Sequence, residues 1–474
     1  MGRTSLMLVI AFNVIFMAMG FRLSNASSSA YLKYSGYAAL EQASLAVESG
    51  ANIAISDAFF GAPTAIPTTT AFDFPSAGQG TIQITKTPLF DAVGVLIGDS
   101  LTISGSRNIP NGTLTDDQVK SQTSIRVQGN SFSQYVMYSV TENIGPNPIY
   151  WMTGEVCRGP LHTQDNLYVN GNPTFADKVT IYKKLTKEPG SVPNFMLGYT
   201  EGVNITLPSD LTDLKNLGAA GVSNQYVNVK VFVQFNSNGS VTVRTATGTQ
   251  DGWAKTPASP AVVVGSRTYP ACATYSSVSA LTSTGVLVVN NSELHVKGRL
   301  DGRITLGAVG SGSIVMLDSS VVYKDRPPTS LYPTNVSNDL LGIICENDIR
   351  VTDTYHPSTS SGPSSPPNYT PANNNNNNSA LGVNIDASMF SLTGGFGSER
   401  YDTRGDCGYV RISGGIQQQG RDPVGQISSH LDGFRKDYAF DTRLYTDRPI
   451  GYPTTPFLVQ SWRDSTKIPD SFWQ

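Results

Sequence analysis

Residues 159–182, GPLHTQDNLYVNGNPTFADKVTIY, place a histidine, two aspartates and several asparagines inside an otherwise apolar, alternating run. His162 and Asp165, with Glu155 just upstream, are residue types that serve as acid, base or metal ligand. Chemistry of that kind needs three convergent groups, and one short segment fixes two at most. The other histidines, His295, His356 and His430, add no HxH or HExxH spacing. Asn166, Asn170 and Asn172 favour turns, since Asn tolerates left-handed backbone angles and caps neighbouring amides. His162, Asp165 and Glu155 are therefore a weak candidate cluster. The favoured reading makes His162 a hydrogen-bonded corner residue of a repetitive β structure.

A second row, Lys297, Arg299, Asp301 and Arg303, alternates with apolar residues in ELHVKGRLDGRITLGA. In a groove it would suit a polysaccharide lyase or glycosidase, whose chemistry uses paired carboxylates or Ca²⁺ with a basic residue. No second acidic cluster at fixed spacing accompanies it, so a solvated sheet face is the better reading. No GxSxG elbow occurs, and GAVGSGS at 307–313 lacks the lysine of a phosphate loop. The RGD at 404–406 is read as chance. Cys157, Cys272, Cys345 and Cys407 lie far apart without CxxC spacing, which argues against structural zinc. Cys345, in LLGIIC, reads as a buried thiol. An exported chain has material for one or two disulfides, whose pairing the sequence leaves open. A net charge of −3 with 15% charged residues gives no electrostatic case for nucleic acid. No enzyme, cofactor or metal is expected.

The elements that position these residues are strands. Gly (45), Pro (28) and Tyr (21) are abundant, a composition of turns and strands rather than helix bundles. Leu294, Val296, Gly298, Leu300, Gly302, Ile304 and Leu306 alternate with polar residues, and period two puts them on one face. Glycine at inward positions 298 and 302 lets the chain bend between short strands. The same grammar recurs at 340–353, 381–394 and 408–420, and in the opening run it makes Leu167, Val169, Phe175, Val179 and Ile181 inward. The expected fold is mainly β: a long amino-terminal α-helix followed by an irregular right-handed parallel β-solenoid, with a β-sandwich or jelly roll as the alternative. The expected division is a helix at 1–60, a β-rich part at 61–150 and a solenoid body at 151–474. Residues 355–380, with six consecutive asparagines, read as a flexible insertion.

Residues 6–21, LMLVIAFNVIFMAMGF, are almost wholly apolar. Leu6, Met7, Leu8, Val9, Ile10, Phe12, Val14, Ile15, Phe16 and Phe21 are the membrane-anchor candidates. Cleavage after Ala30 would instead make the segment a signal peptide and the protein a secreted binding protein. The sequence beyond favours an anchor. Ala38, Leu40, Ala43, Leu45, Ala46, Ala51, Ile53 and Ile55 recur at helical spacing, and no proline interrupts Met1–Phe60.

A hydrophobic segment running into ALEQASLAVESGANIAIS resembles the amino terminus of pilin-like proteins, particularly minor pilins and pseudopilins. Only MGRTS precedes the apolar run, so a processing site would be Gly2–Arg3, and the glutamate of major pilins near the mature start is missing. Further on, GPLHTQDNLYVNGNPTF, HVKGRLDGRITLGA, LLGIICENDIRV and GYPTTPFLVQSWRD resemble bacterial envelope proteins that join such a terminus to a β-solenoid body. That body is similar in grammar to bactofilin-like coils. The resemblance implies no reaction and no catalytic residues. It implies a single anchor in the inner membrane, a body outside the cytoplasm and pilin-like or envelope partners, with self-assembly possible. The expected role is structural or accessory in a type IV pilus-like or secretion-associated system, contributing to assembly or adhesion. A solenoid carbohydrate-active enzyme is the alternative.

Overall fold

The computed structural model describes residues 2–60, 69–73, 80–90, 96–108, 118–221, 225–327, 333, 337–352, 382–403, 406–427, 431–455 and 458–467. The insertion expected at 355–380, His356, His430 and most of the RGD lie outside the described residues. The chain is mainly β with one long amino-terminal helix. It divides into two compact units, 1–129 with 456–474, and 130–455. The divisions differ from those expected near 60 and 150, because strand pairing, not composition, decides which segments belong together.

In the first unit α1 (Gly2–Phe60) is unbroken, about 90 Å long at 1.5 Å per residue. Its second half lies on an antiparallel sheet of β1 (Thr69–Asp73), β2 (Gly80–Phe90), β3 (Leu96–Asn108), β4 (Gln118–Gln128) and the last strand, Leu458–Lys467. In β4 burial alternates residue by residue, with Val119, Ile125 and Val127 facing the helix side, as a strand with one covered face requires. The helix contributes Ala39, Ala43, Val47, Ala51 and Ala54 to this core. Leu45 and Ile53, expected in the same stripe, are each 56% exposed. Small residues win the sheet-facing side because the backbones approach closely. A Cβ on Gly105 of β3 would lie 2.7 Å from Val47 Cγ2, and one on Gly50 would lie 3.1 Å from Ile103 Cγ2.

The last strand is a correction. GYPTTPFLVQSWRD was expected within the solenoid body, but Leu458–Lys467 pairs along β4, from Leu458 opposite Gln128 to Lys467 opposite Lys120. The second unit is thus inserted, in chain order, between two neighbouring strands of the first unit's sheet.

The second unit is built mainly from strands that pair in parallel with strands further along the chain, with antiparallel pairs at Lys230–Phe235 with Val241–Ala246 and at Gly425–Ile427 with Leu431–Ala439. Val286–Asn290, Arg303–Val309, Leu340–Cys345, Gly382–Ser391 and Asp406–Gly420 form one succession. Lys230–Phe235, Glu293–Leu300, Ile314–Tyr323 and Asp348–Val351 form a second. Gly298 and Gly302 have φ of 114° and 115°, and a Cβ on Gly298 would meet the Phe235 carbonyl, so these bends need glycine. The inward residues of the opening run, Leu167, Val169, Phe175, Val179 and Ile181, are all fully buried in the main core.

The order of rungs does not follow the chain. Met137–Thr141, Leu161–Thr163, Val179–Ile181 and Tyr199–Glu201 stack in that order, yet Met137 also pairs with Ile416 and Val156 with Asp437. The chain therefore starts in the middle of the stack and builds to one end. It returns along the side through α2 (Thr212–Gly221) and restarts near Tyr226–Val227, which pairs with Val286–Asn290. From there it builds back until Asp406–Gly420 and Leu431–Ala439 close against the first strands. Ile205, Leu207, Leu211 and Leu214 of the return segment cover the outer face of one succession. This explains why all six residues of Leu340–Cys345 are buried, as strands covered on both faces must be.

Candidate functional site

The apolar half of α1 is one candidate. All ten anchor candidates from Leu6 to Phe21 are more than half exposed, and this helix is long and apolar enough to cross a membrane. Leaving such a surface in water is costly, at about 25 cal/mol per Å². Gly2 and Arg3 begin the helix; their side chains are outside the described set.

The sequence cluster does not assemble. His162 is fully buried, with its ring stacked on Tyr138 at 5.2 Å. Its Nδ1 meets Thr180 Oγ1 at 2.8 Å. The Thr180 hydroxyl donates to the Leu161 carbonyl, which assigns the proton to Nδ1 and leaves Nε2 a buried acceptor without a well-formed hydrogen bond among the described residues. Burial pulls the imidazole down to about 4, so it stays neutral. Asp165 accepts from Lys183 Nζ at 2.8 Å, Asn143 Nδ2 at 2.9 Å and the Glu142 amide at 3.1 Å. Burial works to raise its carboxyl, but the Lys183 and Glu142 hydrogen bonds outweigh it and hold it below the usual range. Glu155 binds Lys436 instead. Among the described residues no hydrogen bond or ion pair joins any two of the three.

The charged row at 297–303 is not wholly solvated, contrary to expectation. The turn at Gly252–Ala254 folds over its start. Lys297 Nζ lies 3.7 Å from the Trp253 ring centroid, and the His295 ring stacks on Phe232 at 4.1 Å. His295 Nδ1 meets Asp318 at 2.7 Å, and Trp253 Nε1 donates to the same carboxylate at 2.7 Å. Burial alone would lower the His295 imidazole, but Asp318 and Glu293 outweigh it and raise it. Arg303 and Asp301 remain at the surface in ion pairs with Asp447 and Lys324. Cys157, Cys272 and Cys345 are free thiols; burial pushes the Cys157 and Cys345 thiols up to about 12, so both are inert at neutral pH.

A cleft the sequence did not announce lies where the late strands close on the early ones. It measures about 780 Å³ and is lined by residues of 144–155 and 401–436. Glu155 is presented by a turn in which Gly154 has φ of 86° and the Glu155 amide donates to the Met152 carbonyl at 3.1 Å. Its Oε1 accepts from Lys436 Nζ at 2.8 Å and its Oε2 from the Met152 amide at 2.9 Å. Behind this pair sits a second, buried one: Arg421 donates to Glu142 at 2.6 Å, its guanidinium 4.7 Å from the Trp151 ring centroid. Tyr150 and Tyr401 line the cleft half-buried, and Phe434 lines it from the core. Burial lowers the Lys436 ammonium more than Glu155 raises it. No spacing signal predicts this site, because its two sides lie some 280 residues apart in the chain.

No protein-family model matches the chain, and no curated protein matches it. Among solved structures, the competence-associated pilin ComZ from Thermus thermophilus is similar at 11% identity, over 92% of this chain and 98% of that chain, with a TM-score of 0.32. At that score the likeness carries no inference about this protein.

Proposed function

We propose that this protein is a membrane-anchored, pilin-like structural component of the bacterial cell envelope, working in a type IV pilus-like or secretion-associated system. The observation that carries the reading is the division of α1: an apolar half left exposed, and a second half seated through small residues on an antiparallel sheet. In this reading Leu6–Phe21 holds the inner membrane or a fibre core, and the inserted β body stands outside the cytoplasm for assembly or adhesion. Leu45 and Ile53, turned away from the sheet, supply a helix face for pilin-like partners or a second copy. The parallel rungs support reading the body as an irregular β-solenoid, right-handed because parallel crossovers favour that sense. A non-enzymic role is favoured because Glu155, already ion-paired, is the single carboxylate among the described residues lining the cleft, whereas glycoside hydrolysis uses two.

Fractionation of the native protein, with imaging for filaments, tests the reading. The full chain is expected in the inner-membrane fraction, and deletion of residues 2–23 is expected to release it. Recovery of the native protein as a soluble periplasmic monomer, with a mature terminus at Tyr31, would instead establish signal-peptide cleavage and sink the anchor.

A further inference from the structure

We infer that the cleft between 144–155 and 401–436 is a binding site for a short neutral saccharide. Its size falls within the roughly 300–1,000 Å³ of small-molecule sites. The lining joins two chemistries that few ligands satisfy together. The first is the Glu155–Lys436 pair, whose side chains are only 16% and 13% exposed. Lys436 donates one N–H to Glu155 and has two more to give; each Glu155 oxygen, already accepting once, keeps a free lone pair. Donor and acceptor thus sit 2.8 Å apart, with their charges cancelled, ready for adjacent hydroxyls of one molecule. The second is the pair of half-buried rings at Tyr150 and Tyr401, flat apolar surfaces suited to the C–H face of a sugar ring.

A purely aromatic or aliphatic ligand would cover the rings but leave the ion pair desolvated without partners, at a cost of about 1–3 kcal/mol per unsatisfied polar group. A small anion would find Lys436 beside the Glu155 carboxylate and Arg435 against the Tyr409 ring in the same lining, but it would leave the Tyr150 and Tyr401 rings bare. A saccharide with vicinal hydroxyls meets both. The site is independent of the anchoring helix, since every residue named belongs to the second unit.

The test uses the full chain in a zwitterionic detergent that carries no sugar headgroup. Saturation-transfer NMR is recorded with the neutral trisaccharides maltotriose, cellotriose and chitotriose, with trigalacturonate and indole as an acidic and an aromatic comparison. The expected result is binding of at least one neutral trisaccharide in preference to both comparison compounds. Tyr401→Ala, at a half-buried ring, and Glu155→Gln, which keeps the shape and removes the carboxylate, are each expected to weaken it about tenfold or more. The thermal unfolding of Tyr401→Ala is expected to match that of the parent protein, which separates loss of a contact from loss of the fold. Absence of binding by all three neutral sugars at millimolar concentration, or binding indifferent to both substitutions, would overturn the proposal. So would stronger binding of indole or trigalacturonate.

Discussion

His162 shows how a residue chosen for its chemistry becomes a reporter of stability. Its imidazole is held near 4 in the fold and titrates near 6.5 when unfolded. Below pH 6.5 the unfolded chain takes up a proton that the folded chain refuses, so stability falls as pH drops from 6.5 towards 4. Over that window the loss amounts to about 3 kcal/mol. His162→Phe, which keeps the stack on Tyr138, is expected to flatten this limb in denaturant titrations at a series of pH values. An unchanged limb would assign it to other groups. Arg421 and Glu142 make a different case, with side chains only 2% and 1% exposed. Arg421→Met strands a buried carboxylate and is expected to cost about 3–5 kcal/mol. The double substitution Arg421→Met with Glu142→Leu should recover much of that, which a double-mutant cycle by chemical denaturation would measure.

Among the elements, α1 and β3 test how the helix is seated. Gly105→Ala sets a methyl group against Val47 Cγ2 and within 3.2 Å of the Ala43 carbonyl, and overpacking of this kind costs about 1–3 kcal/mol. Val47→Ala on the same chain should return part of it. On the opposite side, Leu45→Glu is expected to leave the melting temperature unchanged and to reduce self-association in detergent, read by analytical ultracentrifugation. Equal association in both proteins would remove that helix face from the assembly reading. The helical period of 38–55 was legible in the sequence, but not which side faces the sheet. Leu45 and Ile53 look more core-like than Ala39 or Ala43, and only the close backbone approach reverses that ranking.

Across the whole molecule, the inserted unit closes on itself. Its first and last residues pair: Asn130 N donates to Thr455 Oγ1 at 3.0 Å and Thr455 N to Asn130 O at 2.8 Å. Residues 130–455 alone are therefore expected to fold, with a cooperative thermal transition followed by circular dichroism. In the first unit Gln128 faces Leu458, so a short turn linking Gly129 to Pro456 in place of the insertion should keep that sheet intact. Failure of both pieces to fold would show that the two units depend on each other for stability.

Local patterning determined the strands, the apolar run and the inward face of residues 167–181, because period two and period 3.6 are written in adjacent residues. The glycine bends at 298 and 302 were legible for the same reason. The weak cluster of His162, Asp165 and Glu155 was selected by proximity in sequence, and side-chain direction separated it. What the tertiary structure alone decided is non-local: Met137 against Ile416, β4 against Leu458–Lys467, and Glu155 against Lys436. Such pairings are chosen by the burial of whole faces across hundreds of residues, and no short segment carries a record of its partner.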